Sequence, residues 1–395
     1  MIDPVLLTQQ LIRQPSVTPA KTDDDATLAQ KNAALLGCFD VLQTWLEKMG
    51  FVCHRVTFDQ PGFPSIPNFY AEYGSGGKHL NFLGHVDVVP PGDMTGWRYD
   101  PFGGTIDGEY IYGRGASDMK GNIASFIAAV EKFLSAHKGA GRISLLITGD
   151  EESYAVNGVP KMVPWLQQRG IAFDYCLVGE PSNPKILGEE VKNGRRGTMN
   201  ATCTVHGTQG HIAYPERFDN PVTRMGKFIA AMGGVNLDDG NDYFAPTRLE
   251  VNIIDLPNRT TNVVPNRVTF GFNVRWNSNW TRETLSAHVI AACNQYLGAG
   301  RYDLDMDFSG GVYLTPRGDF LSAVSDSVRE VTGLTPQCTT AGGTSDGRFI
   351  AAICPFVLEC GLTSETIHQV NESAKIDDLR RLADIYAGIL KRVLA

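Results

Sequence analysis

The sequence predicts an α/β protein: a larger domain built on a mostly parallel sheet flanked by helices, interrupted by a smaller ferredoxin-like α+β domain. Three observations carry this reading. Apolar, strand-like runs alternate with helical stripes as far as Pro181, the pattern of a parallel sheet whose crossovers are helices. Lone acidic or histidine residues stand where those runs stop, and open α/β sheets bind their ligands in the crevice beyond the carboxyl ends of the strands. From about Gly197 the order becomes β-α-β-β-α-β, a split βαβ unit compact enough to fold as an insert. A chain of 395 residues is also long for one core, so two domains are expected. The expected division is 1–196 and 312–395 for the larger domain and 197–311 for the insert.

Taken in order, Ala34 to Met49 carries apolar residues at 35, 36, 39, 42, 45, 46 and 49, a helical stripe stopped by Gly50. Short strand-like runs follow around Val52 to Thr57 and Asn68 to Tyr73, with a turn at Gly74-Ser75-Gly76-Gly77. The apolar run Leu80 to Leu83 enters Gly84-His85-Val86-Asp87. Asp118 precedes a helix over Asn122 to Ala136, whose Ile123, Phe126, Ile127, Val130 and Phe133 share one face. Ile143 to Thr148 then runs into Gly149-Asp150-Glu151-Glu152, and Tyr175 to Val178 into Gly179-Glu180-Pro181. In the insert, Thr198–Val205, Arg248–Leu256, Arg267–Trp276 and Tyr302–Phe308 read as strands, and Pro221–Met232 and Thr281–Leu297 as helices. Beyond Gly311 come a helix, a glycine-rich loop, a strand at Phe356–Cys360 and a last helix at Asp377–Leu394.

Composition narrows the function. Hydrophobic residues make up 43% and charged residues 20% of the chain, ordinary for a soluble globular protein. The 35 basic and 43 acidic residues give a net charge of -8, which argues against a nucleic-acid or anionic-membrane binder and leaves room for an anionic small-molecule substrate read by local arginines. Met1-Ile2-Asp3-Pro4 has neither the basic start nor the apolar core of a secretory signal, and no apolar run approaches the roughly 18 residues of a membrane span. A cytoplasmic location is expected. The eight cysteines, at 38, 53, 176, 203, 293, 338, 354 and 360, include no Cys-x-x-Cys pair. They are expected to be reduced, with Cys176 and Cys293 acting as small buried hydrophobes.

His85 and Asp87, two apart at a strand end, point to one face. A metal-bound histidine needs its second ring nitrogen held by a carboxylate or carbonyl; the plain alternative is a hydrogen-bonded histidine at a sheet edge. Asp118 lies in the tight turn Gly113-Arg114-Gly115-Ala116-Ser117-Asp118-Met119-Lys120-Gly121, where it could equally cap the next helix. Asp150-Glu151-Glu152 could be an exposed, solvated turn, and Glu180 and His368 could be loop residues. Their joint placement says more. Carboxylates gathered in one crevice raise one another's pKa unless a cation neutralises them, so a hydrolytic metal site is the economical reading. Adjacent carboxylates can then divide the work, one on a metal and its neighbour as general base. The glycines at 342 and 343 do not form a phosphate loop, because Gly-x-x-x-x-Gly-Lys-Ser/Thr is absent.

Several motifs resemble, in order and spacing, the dinuclear zinc exopeptidases and deacylases, the family of carboxypeptidase G2, aminoacylase and acetylornithine deacetylase. They are Gly84-His85-Val86-Asp87-Val88-Val89-Pro90, the Gly113–Gly121 turn, Asp150-Glu151-Glu152, Gly179-Glu180-Pro181-Ser182 and His368. Val191–Gly197, Gln209–Pro215, Gly342–Arg348 and Ile367–Glu372 look more closely like the branch of that family that removes a succinyl group from an N-succinyl diamino acid. The likeness covers nearly the whole chain. Ser153 departs from it, standing where a glycine often follows the acidic triplet.

The resemblance implies two Zn2+ per subunit, with Co2+ able to substitute: His85 and Glu180 on one ion, Glu152 and His368 on the other, and Asp118 bridging. Asp87 would sit behind His85, Glu151 would be general base and acid, and His211 would reach the oxyanion from the partner subunit of a homodimer formed through the insert. Arg195, Arg275 and Arg348 would grip substrate carboxylates, while Thr198, Tyr214, Asn262, Gly343 and Thr344 would line the pocket or supply backbone contacts. The implied activity is hydrolysis of a succinyl amide in diaminopimelate and lysine synthesis. Deacetylation of acetylornithine, hydrolysis of other acylamino acids or dipeptides, and a non-catalytic binding role on the same fold are the rivals.

Overall fold

A computed structural model describes residues 1–395, and the chain divides into two units. The first comprises Met1–Gly194, Leu314–Thr339 and Ser345–Ala395, the second Arg195–Tyr313 with Thr340–Thr344.

The first unit is built on an eight-stranded sheet. Its spatial order is Val52–Gln60, Phe63–Tyr73, Arg142–Thr148, His79–His85, Tyr175–Val178, Val357–Glu359, Glu190–Lys192, Gln337–Thr339. The four central strands, from Arg142–Thr148 to Val357–Glu359, run parallel. The two strands at one edge are antiparallel. Parallel strands covered on both faces are buried at nearly every position, and every residue of His79–His85 is buried, with the polar His79 and Asn81 both bonded to the Ser144 hydroxyl. The helix Lys120–Ala136 starts two residues before the expected boundary and is buried along most of its length. Phe126 stacks on Phe82 of the sheet with ring centroids 4.2 Å apart. Tyr386 of the last helix, Ile376–Leu394, packs edge-on against both rings and donates its hydroxyl to the Cys360 carbonyl at 2.6 Å. Each such fully buried large side chain contributes about 1.5–3 kcal/mol.

Two glycines show how this packing shapes the site. A Cβ at Gly179 would lie 2.3 Å from the Phe82 ring, and one at Gly84 2.7 Å from the Met119 methyl. The residues just before His85 and just before Glu180 must therefore lack side chains for the core beneath them to close.

The second unit has the ferredoxin-like arrangement. Strands Gly197–His206, Arg248–Asp255, Arg267–Trp276 and Tyr302–Gly310 pair antiparallel with Arg267–Trp276 and Gly197–His206 at the centre. Helices Pro221–Met232 and Arg282–Cys293 accompany them, over a separate core that includes Phe228, Phe270, Phe272 and Leu285. The segment Thr340–Thr344 clusters with this unit rather than with the flanking chain. The Thr340 hydroxyl donates to the Tyr243 carbonyl and Arg195 Nη1 to the Ala341 carbonyl, each at 2.6 Å.

Three α-helical stretches were not anticipated: Pro4–Ile12, the first turns of Asp25–Lys48, whose polar start carries no apolar stripe, and the short Gly347–Ile350 in the glycine-rich loop. The second insert helix gives way at Cys293 to a wider turn over Asn294–Gly298. All eight cysteines are free; Cys176 and Cys293 are buried, whereas Cys338 is exposed. No helix is long and apolar enough to cross a membrane.

Candidate functional site

At the carboxyl end of the parallel strands, the first unit gathers six side chains named by the sequence. His85 ends its strand, Glu151 and Glu152 follow Arg142–Thr148, and Glu180 follows Tyr175–Val178. Asp118 comes from the turn before the Lys120–Ala136 helix, and His368 from the loop after Val357–Glu359.

Asp118 stands between the two histidines. One carboxylate oxygen lies 3.3 Å from His85 Nε2, the other 3.3 Å from His368 Nε2. Glu180 approaches His85 Nε2 at 3.7 Å, and Glu152 approaches His368 Nε2 at 3.0 Å. Asp118 does not cap the helix: the cap position is Met119, with no side-chain cap bond, so the carboxylate is left to face the histidines. His368 adopts φ +60°, a left-handed conformation that non-glycine residues take at a cost and that concentrates at functional sites.

Asp87 lies behind His85, and it is its main chain that holds the ring. His85 Nδ1 donates to the Asp87 main-chain carbonyl at 2.9 Å, whereas the Asp87 carboxylate is 3.6 Å from that nitrogen. The carboxylate instead accepts the backbone N–H groups of Glu151 (3.3 Å) and Glu152 (3.0 Å). The carbonyl is nearer because His85 and Asp87 are only two residues apart on a strand that has just ended. Since a carbonyl can only accept, Nδ1 carries the proton, and the lone pair of a neutral ring is at Nε2.

Electrostatics leave the cluster short of positive charge. Burial, reinforced by repulsion from neighbouring carboxylates, lifts Glu151 and Glu180 well above the usual carboxylate range. Burial also raises Glu152 despite its bond to His368. Burial opposes charge on His85, but Asp118 beside it and the charges of Glu180, Asp87 and Glu151 outweigh this and raise it well above the imidazole range. Asp118 and Glu152 raise His368 to about 10. Asp118 itself is lowered, because the two histidines beside it outweigh its burial. The acids hold on to protons, and the histidines take them up, wherever no other cation is at hand.

The donor set fits a metal. The ligand atoms of His85, Asp118 and Glu152 lie within 4.8 Å of one another, as do those of His85, Glu151 and Glu180. His85 Nε2 and Asp118 Oδ1 are buried without a hydrogen-bond partner, a costly condition that coordination would relieve. Imidazole and carboxylate without thiolate suit a hydrolytic divalent cation.

The remaining predicted residues divide between the units. Arg348, in the first, donates Nη1 to the Ser345 carbonyl at 3.1 Å and lies over the Phe349 ring. The others are in the second unit. Arg195 is buried, Arg275 donates to the Thr198 hydroxyl at 2.7 Å, Gly343 and Thr344 lie in the Thr340–Thr344 segment, and Tyr214 and Asn262 are exposed. The exposed His211 accepts the Ala213 N–H at Nδ1, 3.1 Å away.

Sequence reasoning passed over Asp346, which is buried with both carboxylate oxygens unpaired. Its charge acts on Glu151, and burial raises it to about 7. The available signal was a lone acid in the motif Gly342–Arg348. Asp150, by contrast, turns back to accept the N–H groups of Val156 and Asn157 at 2.8 and 2.7 Å, so the first acid of the triplet is a turn brace.

The model of peptidase family M20/M25/M40 matches residues 82–392. The chain is 44% identical to a succinyl-diaminopimelate desuccinylase of Rhodopseudomonas palustris (strain BisB5), covering 99% of this chain and 98% of that protein. It is 45% identical to one of Rhodospirillum centenum, covering 100% and 98%. Among solved structures, aminopeptidase PepT from Bacillus cereus superposes with a TM-score of 0.76 at 20% identity, covering 99% of this chain and 98% of that one. The Bacillus subtilis YXEP protein, described as a dinuclear metal binding peptidase, gives 0.64 at 15% identity, covering 99% and 97%. With the family model matching most of the chain and the relatives running its full length, this protein is a member of peptidase family M20/M25/M40.

Proposed function

We propose that the protein is a two-zinc amidohydrolase that cleaves N-succinyl-LL-2,6-diaminopimelate to succinate and LL-2,6-diaminopimelate, in diaminopimelate and lysine biosynthesis. The observation that carries this reading is the position of Asp118, one oxygen toward His85 and the other toward His368. A carboxylate so placed is suited to bridge two cations. His85 and Glu180 would hold one zinc, Glu152 and His368 the other, and Asp118 both. Full-length identity of 44% to a succinyl-diaminopimelate desuccinylase supports the substrate.

Bound there, the metals would supply Lewis acidity and a water acidic enough to ionise near neutral pH. Glu151 takes the proton of the attacking water and returns it to the departing amine nitrogen. A carboxylate held above its ordinary pKa by burial, as Glu151 is, is a competent carrier of that proton. His211, contributed by the partner subunit, donates to the tetrahedral oxyanion; its Nδ1 is occupied as an acceptor, which leaves the proton of the neutral ring on Nε2. Arg195, Arg275 and Arg348 read the substrate carboxylates, and Thr198, Tyr214, Asn262, Gly343 and Thr344 complete the pocket.

The working form is a cytoplasmic homodimer. In support, the strand Arg248–Asp255 is paired on its outer side only at Arg248 and Leu249, and Ile253 and Ile254 beyond are 59% and 57% exposed. An open edge bearing apolar side chains is a natural pairing surface.

The test is turnover of N-succinyl-LL-diaminopimelate, N-acetylornithine and a panel of acylamino acids by zinc-loaded protein, before and after chelation. Zinc-dependent hydrolysis confined to the succinyl substrate is expected. Preference for an acetyl substrate would overturn the substrate assignment, and failure to hydrolyse any of them would overturn the enzymatic reading.

A further inference from the structure

Glu372 is fully buried and has no part in the chemistry above, yet it is among the most densely hydrogen-bonded carboxylates in the protein. One oxygen accepts the backbone N–H groups of Ser117 and Asp118, each at 3.1 Å. The other accepts the N–H of Gly115 and Nη1 of Arg114, again at 3.1 Å. The Glu372 main-chain carbonyl also accepts the N–H of Gly113 at 2.9 Å. Nearly the whole turn that presents Asp118 is therefore hung from this one residue.

Arg114 extends the connection. Its Nη1 also donates to the Gln369 carbonyl at 2.9 Å, and its Nη2 to the Pro90 and Pro91 carbonyls at 3.2 and 3.4 Å. The guanidinium lies 5.0 Å from the centre of the Trp97 ring. It is itself buried, so its charge is matched by Glu372 rather than by solvent. Three chain segments meet at this pair: the turn bearing Asp118, the loop bearing His368, and the run after His85 and Asp87. Between His368 and Glu372 the loop is kept tight by left-handed backbone at His368 and Asn371, with φ +60° and +61°. The Asn371 side chain pins it from outside, accepting the N–H of Arg98 at 2.7 Å and donating to the Gly96 carbonyl at 3.0 Å.

We propose that Glu372 and Arg114 are positioning residues, a buried latch that sets the Asp118 carboxylate between His85 and His368 before any cation arrives. The proposal rests on the two-metal reading and deepens it by naming what holds the ligands at spacing. Ligands fixed in advance lose less freedom on binding, and residues behind the ligands govern metal affinity for that reason. The chemistry of the latch makes glutamate specific. Four donors occupy two oxygens, and an amide offers only one acceptor oxygen with an NH2 in place of the other. Glu372→Gln would therefore set donor against donor on one side of the turn, and Glu372→Asp would keep the charge one methylene short.

The first measurement is hydrogen exchange in the metal-free, full-length protein. The amides of Gly115, Ser117 and Asp118 should be protected, and in Glu372→Gln they should exchange about 10-fold to 100-fold faster. Competition with a chromophoric chelator should then show zinc affinity lower by about 10-fold to 100-fold, and the visible bands of the cobalt-loaded protein should shift. With saturating zinc, kcat should fall while KM changes by less than about 2-fold, since the latch does not touch substrate. Glu372→Asp should recover part of the affinity. If Glu372→Gln does not fold, Arg114→Lys is read in its place: it keeps a charge beside Glu372, gives up most of the guanidinium's carbonyl contacts, and should show the same loss of zinc affinity. Wild-type exchange rates with wild-type zinc affinity in these variants would overturn the latch. The exchange readout needs neither metal nor substrate, so a wrong functional assignment would show in the wild-type assays and leave this comparison intact.

Discussion

The Asp87 carboxylate accepts the backbone N–H of Glu152 at 3.0 Å, so the residue two places after one candidate ligand supports the backbone of another. Its carbonyl meanwhile accepts from His85 Nδ1, and the same residue thus governs the orientation of His85 and the turn bearing Glu151 and Glu152.

Asp87→Asn should separate these two tasks. The main-chain acceptor for His85 survives, while one of the two side-chain acceptors under the acidic turn is replaced by a donor. Steady-state assays at saturating zinc should show kcat lower by about 10-fold to 100-fold. An unchanged kcat would mean that the turn needs no support from Asp87.

His368 faces only Asp118 and Glu152 within ion-pair distance, whereas His85 faces Asp118, Glu180 and Asp87. Removing the His368 ring should therefore weaken one cation position and spare the other. Elemental analysis of His368→Ala after dialysis at limiting zinc is expected to find close to half the wild-type metal content. Full content, or complete loss, would contradict two separable positions.

Glu151→Gln keeps the size of the proposed base and removes its ability to take a proton. A fall in kcat of about 10²-fold to 10⁴-fold is expected with metal content retained. Mixing a Glu151 variant with a His211 variant, each nearly inactive alone, should restore part of the activity, because a mixed dimer contains one site with both residues intact. Mixtures no better than their parents would place His211 outside the reaction or in its own subunit's site.

His79 supplies a pH dependence away from the metals. Its ring is buried between the Ala172 carbonyl, 2.9 Å from Nδ1, and the Ser144 hydroxyl, 2.8 Å from Nε2, and burial draws its pKa down to about 4. Between pH 6.5 and 4 the unfolded chain binds a proton that the folded chain refuses, so stability rises with pH across that window. The contribution is complete above pH 6.5 and is lost as pH falls toward 4, amounting to about 3 kcal/mol. Thermal unfolding of metal-free protein should lose less between pH 7 and pH 5 in His79→Asn than in the wild type; an equal loss would assign the acid sensitivity to other groups.

The reach of sequence reasoning can be judged residue by residue. The strand Tyr175–Val178 and the helix Pro221–Met232 lie where the apolar pattern puts them, because side-chain period reports directly which face is buried. The helix Pro4–Ile12 escaped because nine residues give too few turns for a stripe to stand out. The strand Phe63–Tyr73 extends five residues earlier than expected, through Pro64 and Pro67, since that stretch pairs only with Val52–Gln60 and Arg142–Thr148 joins it from Phe69 onward, and a one-sided position relieves proline of a ladder bond.

By itself the sequence determined the two-part α/β architecture, the placing of acids and histidines at strand ends, and the chemical types able to hold a metal. All three depend on local pattern: apolar period, glycine where the backbone must turn or lie close to the core, and residue type. Tertiary structure alone decided that Asp118 faces two histidines rather than capping its helix, that Asp87 meets His85 through its carbonyl, that Asp150 braces a turn, and that Glu372 holds the Asp118 loop from 254 residues away. Those outcomes depend on where packing sets each turn and side chain to within about an ångström, which neither apolar period nor residue type reports.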